Sequence, residues 1–134
     1  MTFKPQKKAT LLMPSGPPDD LERRHLWVIL TDPCQHEANL LVNVSSLRDG
    51  RFHDPACILE PGEHKRITVR SWIEYRRAKA VLSSALIKGE GAWLYHRAEV
   101  VSDALFDRIC DGLSESVFTP ARIKRYFRGE GPAF

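Results

Sequence analysis

Two near-continuous apolar runs of strand length, His25–Leu30 (HLWVIL) and Asn39–Val44 (NLLVNV), constrain the fold of this chain more than any other feature. The first stops at Thr31-Asp32-Pro33 and the second at the polar turn Ser45-Ser46-Leu47-Arg48-Asp49-Gly50. Apolar runs of this length between turn signals read as buried strands. Ala9–Met13 reads as a short strand before them, followed by a loop signal over Pro14–Asp20, where Pro and Gly break regular structure. Cys57–Leu59 starts another strand pair, which turns at Pro61-Gly62 and breaks again near Arg76.

Helical signals come late. Ser83–Lys88 reads as a short helix stopped by Gly89-Glu90-Gly91, and Trp93–His96 as extended or irregular chain. Ser102 is suited to cap a helix over Asp103–Leu113, with Leu105, Ile109 and Leu113 on one face. Thr119-Pro120 opens a further helix that Gly129 closes. Its Ile123, Tyr126 and Phe127 share one side, which favours packing, while Arg122, Lys124, Arg125 and Arg128 occupy much of the rest. Strands first and helices after imply a mainly β, α+β domain, a compact barrel or curled sheet with appended helices near 102–113 and 120–128. A chain of 134 residues suits a single domain over 9–134, with Met1–Lys8 as a flexible basic arm.

The net charge of +3 is mild, but the cations are gathered. Lys65, Arg66, Arg70, Arg76, Arg77 and Lys79 face only Glu63 and Glu74 within their segment, and are interleaved with Ile67, Val69, Trp72 and Tyr75. Such a surface suits a phosphate backbone, with aromatic faces stacking on bases. The plainer alternative is a charged strand edge protected against pairing. Trp72 and Tyr75, three residues apart, do not share a face of a regular strand. No apolar run approaches the ~20 residues that span a bilayer, and the N-terminus lacks the apolar core and cleavage site of a secretory leader. The expected location is cytoplasmic, with no membrane partner.

Cys34, Cys57 and Cys110 cannot all pair within one chain and read as reduced thiols. Cys34, His36, His53, Cys57 and His64 offer zinc-type donors, but no CxxC or HExxH spacing organises them, and no cofactor or metal is expected. No thiol stands beside an activating base in sequence.

Three segments carry a resemblance to a known family. HLWVIL with Thr31-Asp32-Pro33 resembles the early central strand and loop of the MazF/PemK toxins of bacterial toxin–antitoxin modules. NLLVNVSS resembles their strand ending in a hydroxyl pair, and SWIEYRRAKAV followed by VVSDALFDRICDGL resembles their late strand and C-terminal helix. The likeness covers residues 9–113. The family's Arg-Pro pair is replaced here by Arg23-Arg24-His25, and Asn43-Val44 stands in place of its proline-led approach to the hydroxyls. The resemblance implies a small SH3-like barrel, a homodimer, a cognate antitoxin, and metal-independent cleavage of single-stranded RNA. It also implies that Arg24 or Arg23 stabilises the phosphate while Ser46 or Ser45 donates a hydrogen bond to it.

Cleavage through the ribose 2′-hydroxyl needs a base, a cation for the phosphorane and an acid for the leaving oxygen. Arg suits the second task because its planar fork engages two oxygens. Among the histidines, His64 in the turn Gly62-Glu63-His64-Lys65 is the preferred acid or base, His53-Asp54 the second and His25 the third. The expected catalytic set is therefore Arg24, Ser46 and His64. The expected RNA contacts are Arg23, Ser45, Lys65, Arg66, Arg70, Arg76 and Arg77. Two other readings stand beside this one: a non-catalytic barrel acting on a protein, as CcdB-type toxins do, and a nucleic-acid-binding adaptor.

Overall fold

The computed structural model describes residues 2–15 and 23–132. Most of the loop signal over Pro14–Asp20, from 16 to 20, lies outside these residues. Seven strands follow in chain order: β1 (Thr10–Pro14), β2 (Arg24–Ile29), β3 (Ala38–Ser46), β4 (Ile58–Leu59), β5 (Ser71–Ile73), β6 (Lys79–Leu82) and β7 (His96–Ala98). A single 3-10 turn, Tyr75–Arg77, separates β5 from β6. The helices are α1 (Ser83–Gly91), α2 (Asp103–Glu115) and α3 (Ala121–Phe127). Among the described residues, no helix is long and apolar enough to cross a membrane.

Every ladder is antiparallel and the strand order is β4-β5-β3-β2-β1-β7. β6 joins the same edge of β3 as β5, opposite Ala38–Leu41, while β5 pairs with Val44–Ser46. The chain leaves that edge around Glu74 and rejoins it at Lys79, so the break expected near Arg76 is the 3-10 turn. The result is an α+β fold built on an open sheet. No ladder among the described residues joins β4 to β7, so the strand pairing does not establish the expected barrel. The β4–β5 loop nevertheless reaches β7's end, where His64 Nε2 donates to the Glu99 carbonyl at 2.5 Å.

Both apolar runs are buried on two faces, which explains why they do not alternate with polar residues. One face packs Leu26, Val28, Leu40, Val42, Val44 and Ile73 against Leu105, Ile109 and Leu113 of α2 and Ile123 of α3. The other packs Leu11, Met13, Trp27, Ile29 and Leu41 against Phe3 and Leu86. Each such side chain contributes about 1.5–3 kcal/mol on full burial.

Ser102 Oγ caps α2 by accepting from Leu105 N at 3.1 Å. Tyr75 anchors the 3-10 turn to this helix, its hydroxyl donating to the Ile109 carbonyl at 2.6 Å. A side chain at Gly112 would strike the Tyr75 ring, so glycine is required at that close approach. Thr119 does not cap α3: its hydroxyl donates to the Leu113 carbonyl at 2.8 Å, and Pro120 takes the capping position.

The basic arm corrects an expectation. Phe3 and Pro5 are buried, the Lys8 amide donates to the Ile29 carbonyl at 2.9 Å, and the Lys8 carbonyl accepts from Val101 N at 3.0 Å. Phe3 supplies the apolar anchor that a purely basic arm would lack.

Candidate nucleic-acid interface

Strand register assembles the candidate site. Leu26 stands opposite Val44 across β2–β3, and Ser45 opposite Trp72 across β3–β5. Carrying the first ladder one residue further sets His25 opposite Ser45. Since alternate residues share a face, His25, Ser45 and Trp72 lie on the face that holds Trp27, Ile29 and Leu41 deeper in the sheet. Asn43 belongs to the same face, and its carbonyl accepts from Glu74 N at 3.0 Å where the chain leaves the edge of β3. This face is therefore apolar at one end and carries His, Ser, Asn and Glu at the other.

A cavity of about 550 Å³ opens over the polar end. Arg23, Arg48, Arg51, Arg76 and Arg77 line it with His25, Ser45 and Ser46, and among the described residues Glu74 is its one carboxylate. A second cavity of about 310 Å³ shares Arg23, His25, Ser46 and Arg48 with it and adds Arg24, Arg66 and Thr68. A third, of about 410 Å³, shares Arg76 and Arg77 and adds Lys79 and Arg122. These form a run of cation-lined hollows around one end of the sheet.

Glu74 is buried and sets the geometry of this cluster. Its Oε2 accepts from Arg76 Nε at 2.8 Å and lies 3.5 Å from Arg77 Nε. Its Oε1 faces Ser45 Oγ at 3.4 Å and Asn43 Nδ2 at 3.5 Å, both long contacts. Each arginine thus offers Glu74 its Nε and stays exposed enough for its remaining donors to meet a ligand.

His25 is half-buried, and neither ring nitrogen makes a hydrogen bond among the described residues; Nδ1 is sealed from solvent as well. Burial pushes its pKa below the ordinary 6.5; Glu74 pulls it upward, while Arg23, Arg77 and Arg48 add to the lowering. Desolvation disfavours the charged imidazolium, and a neutral imidazole keeps one ring nitrogen as a proton acceptor. The site therefore favours the neutral ring.

The structure brings together seven of the ten residues singled out from sequence: Arg23, Arg24, Ser45, Ser46, Arg66, Arg76 and Arg77 line these hollows. His64, Lys65 and Arg70 are absent from their linings. His64 is buried, its Nδ1 accepts from Arg66 N at 3.0 Å, and Nε2 is occupied by Glu99, so it has no nitrogen left for catalysis. Lys65 pairs with Glu99 at 3.7 Å and Arg70 with Glu60 at 3.1 Å. Tyr75 is a core residue, and Trp72 is 5% exposed with its indole donating to the Ser46 carbonyl at 3.3 Å, so neither presents a free stacking face. Asp54 supports no histidine, because its carboxylate accepts from Ala56 N and Ser116 Oγ.

Arg48, Arg51 and Phe52 were not anticipated. They lie on the β3–β4 connection, where an Arg on each side of Asp49-Gly50 was the available signal. Among the described residues, no group of three His, Cys, Asp or Glu side chains is placed to hold a metal ion. No protein-family model and no curated protein matches the chain.

Proposed function

We propose that the protein is an endoribonuclease acting on single-stranded RNA in the manner of the MazF/PemK toxins that its sequence resembles. The observation that carries this reading is a neutral-leaning His25, without a hydrogen bond among the described residues, set among Arg23, Arg48, Arg76, Arg77 and the Ser45-Ser46 pair. Nε2 of His25 accepts the 2′-hydroxyl proton as O2′ attacks phosphorus. The guanidinium groups bind the phosphate oxygens, where charge gathers in the phosphorane, and Ser46 donates a further hydrogen bond. The P–O5′ bond breaks, O5′ takes a proton from solvent at the open cavity, and the products are a 2′,3′-cyclic phosphate and a 5′-hydroxyl. No step calls for a metal.

Several further parts belong to the same proposal: a cytoplasmic toxin, a homodimer, a cognate antitoxin, and a sheet curled into an SH3-like barrel with the His64–Glu99 contact at its seam. The test is incubation of a long single-stranded RNA with purified protein in excess chelator, with product ends identified. Cyclic-phosphate and 5′-hydroxyl ends, lost in a folded His25→Asn variant, are the expected result. Intact RNA across several sequences, with well-folded wild type, would sink the proposal.

A further inference from the structure

Phe52 stands on the wall of the arginine-lined cavity and is 48% exposed. An aromatic ring left half in water beside five guanidinium groups contributes little to the core. It is nevertheless held firmly. Its ring meets Trp72 edge-on at 5.9 Å between centroids and Phe118 at 5.0 Å, and the Arg76 guanidinium lies 4.9 Å from its centre.

The neighbouring chain is tied down as well. Buried Asp54 accepts from Ala56 N at 2.9 Å and from Ser116 Oγ at 2.5 Å, joining the loop after Phe52 to the α2–α3 turn. Ser116 Oγ in turn accepts from Phe118 N at 3.0 Å, and Phe118 is 40% exposed. One carboxylate thus fixes the two segments that bring Phe52 and Phe118 together. A ring held in this way loses little conformational freedom when something stacks on it.

We infer that Phe52, flanked by Phe118, is a stacking platform for an unpaired nucleobase whose adjoining phosphate sits among Arg48, Arg76 and Arg77. The inference rests on the phosphate-binding reading above and gives its preference for single strands a physical basis, because a base inside a duplex has no face to offer. The surrounding positive charge decides the occupant. A purely apolar partner segment would strand these cations, whereas a nucleotide supplies a flat face and an anion on adjacent atoms.

The test measures binding of a fluorescein-labelled thymidine octadeoxynucleotide, which lacks the 2′-hydroxyl and stays intact, beside an all-abasic spacer strand with the same number of phosphates. Stacking of a single base predicts that wild type prefers the base-bearing strand by about five- to 150-fold. Phe52→Ala and Phe52→Leu should remove most of that preference without changing affinity for the spacer strand, and Phe52→Trp should keep it. Equal binding of both strands by wild type, or equal weakening of both by Phe52→Leu, overturns the platform while leaving the phosphate site standing. Binding of neither strand removes both. Self-association that Phe52→Leu abolishes, with no preference between strands, would assign the ledge to a second copy instead.

Discussion

One face of the sheet is two surfaces in sequence. Toward its interior, Leu11, Trp27, Ile29 and Leu41 are packed under Leu86, and their burial stabilises the domain. A few residues along the same strands, His25, Asn43 and Ser45 take the corresponding positions, with Glu74 beneath two arginines. The backbone ladder carries on between the two ends, so the difference lies in side-chain chemistry and in what covers it. Helix α1 covers the first region. The second is open, lined with cations, and leaves the Nδ1 of His25 and the Oδ1 of Asn43 buried without partners among the described residues. Unsatisfied buried polar atoms reduce stability, and their concentration at one end sets it apart from the packed end.

The sharpest way to break this comparison is to mutate each half and measure both stability and cleavage. Leu41→Ala should lower unfolding free energy by about 2–5 kcal/mol in denaturant titration. His25→Asn should change it by less than about 1 kcal/mol while lowering cleavage by about 10²–10⁴-fold. A large loss of stability in His25→Asn would make the polar end a core like the other. Arg48→Ala probes the charge difference. It should flatten the dependence of log affinity on log salt by about 0.7 for a single strand, one phosphate contact fewer, with the fold intact by circular dichroism.

A gentler probe is pH. His25 binds fewer protons when folded than when unfolded, because its folded pKa is lowered. Stability is therefore highest above the ordinary 6.5 and declines as pH falls from there through the lowered folded value. His25→Gln should flatten the decline in that window. If His25 is the base of the proposed cleavage, the acid limb of kcat/KM lies below pH 6.5, because its folded pKa is lowered. The smallest effect contrasts the thiols away from both regions. Burial alone would push Cys34 up, but the Tyr126 hydroxyl and backbone N–H groups hold it below the usual thiol value; burial pushes Cys110 up to about 11. Iodoacetamide at pH 8 should alkylate Cys34 before Cys110, as read by peptide mass mapping.

Much of the fold was legible because local rules and tertiary context agree. The runs HLWVIL and NLLVNV became β2 and β3, and the Ser102 cap with Leu105, Ile109 and Leu113 became α2. The convergence of candidate residues was legible where it rests on strand ends: Arg23, Arg24, Ser45 and Ser46 meet because antiparallel register brings the start of β2 to the end of β3. His64 misled because a histidine in a Gly-Glu-His-Lys turn looks solvated, and only the tertiary placement of the β4–β5 loop carries it against Glu99. Phe52 and Arg48 went unnoticed for the converse reason, since a loop's place over the sheet depends on contacts such as Asp54–Ser116 across a sequence separation of 62 residues.

The departure of the chain from β3 at Glu74 has one more consequence. In an unbroken strand, residues 76 and 77 would point to opposite sides, and only one guanidinium could reach this cavity. The 3-10 turn lifts that alternation, so two successive arginines close on the same carboxylate like a forked clasp. The tether from Tyr75 to the Ile109 carbonyl means that the clasp is held from behind by a helix on the opposite face. Loosening α2 would unfasten the arginine pair without touching either arginine.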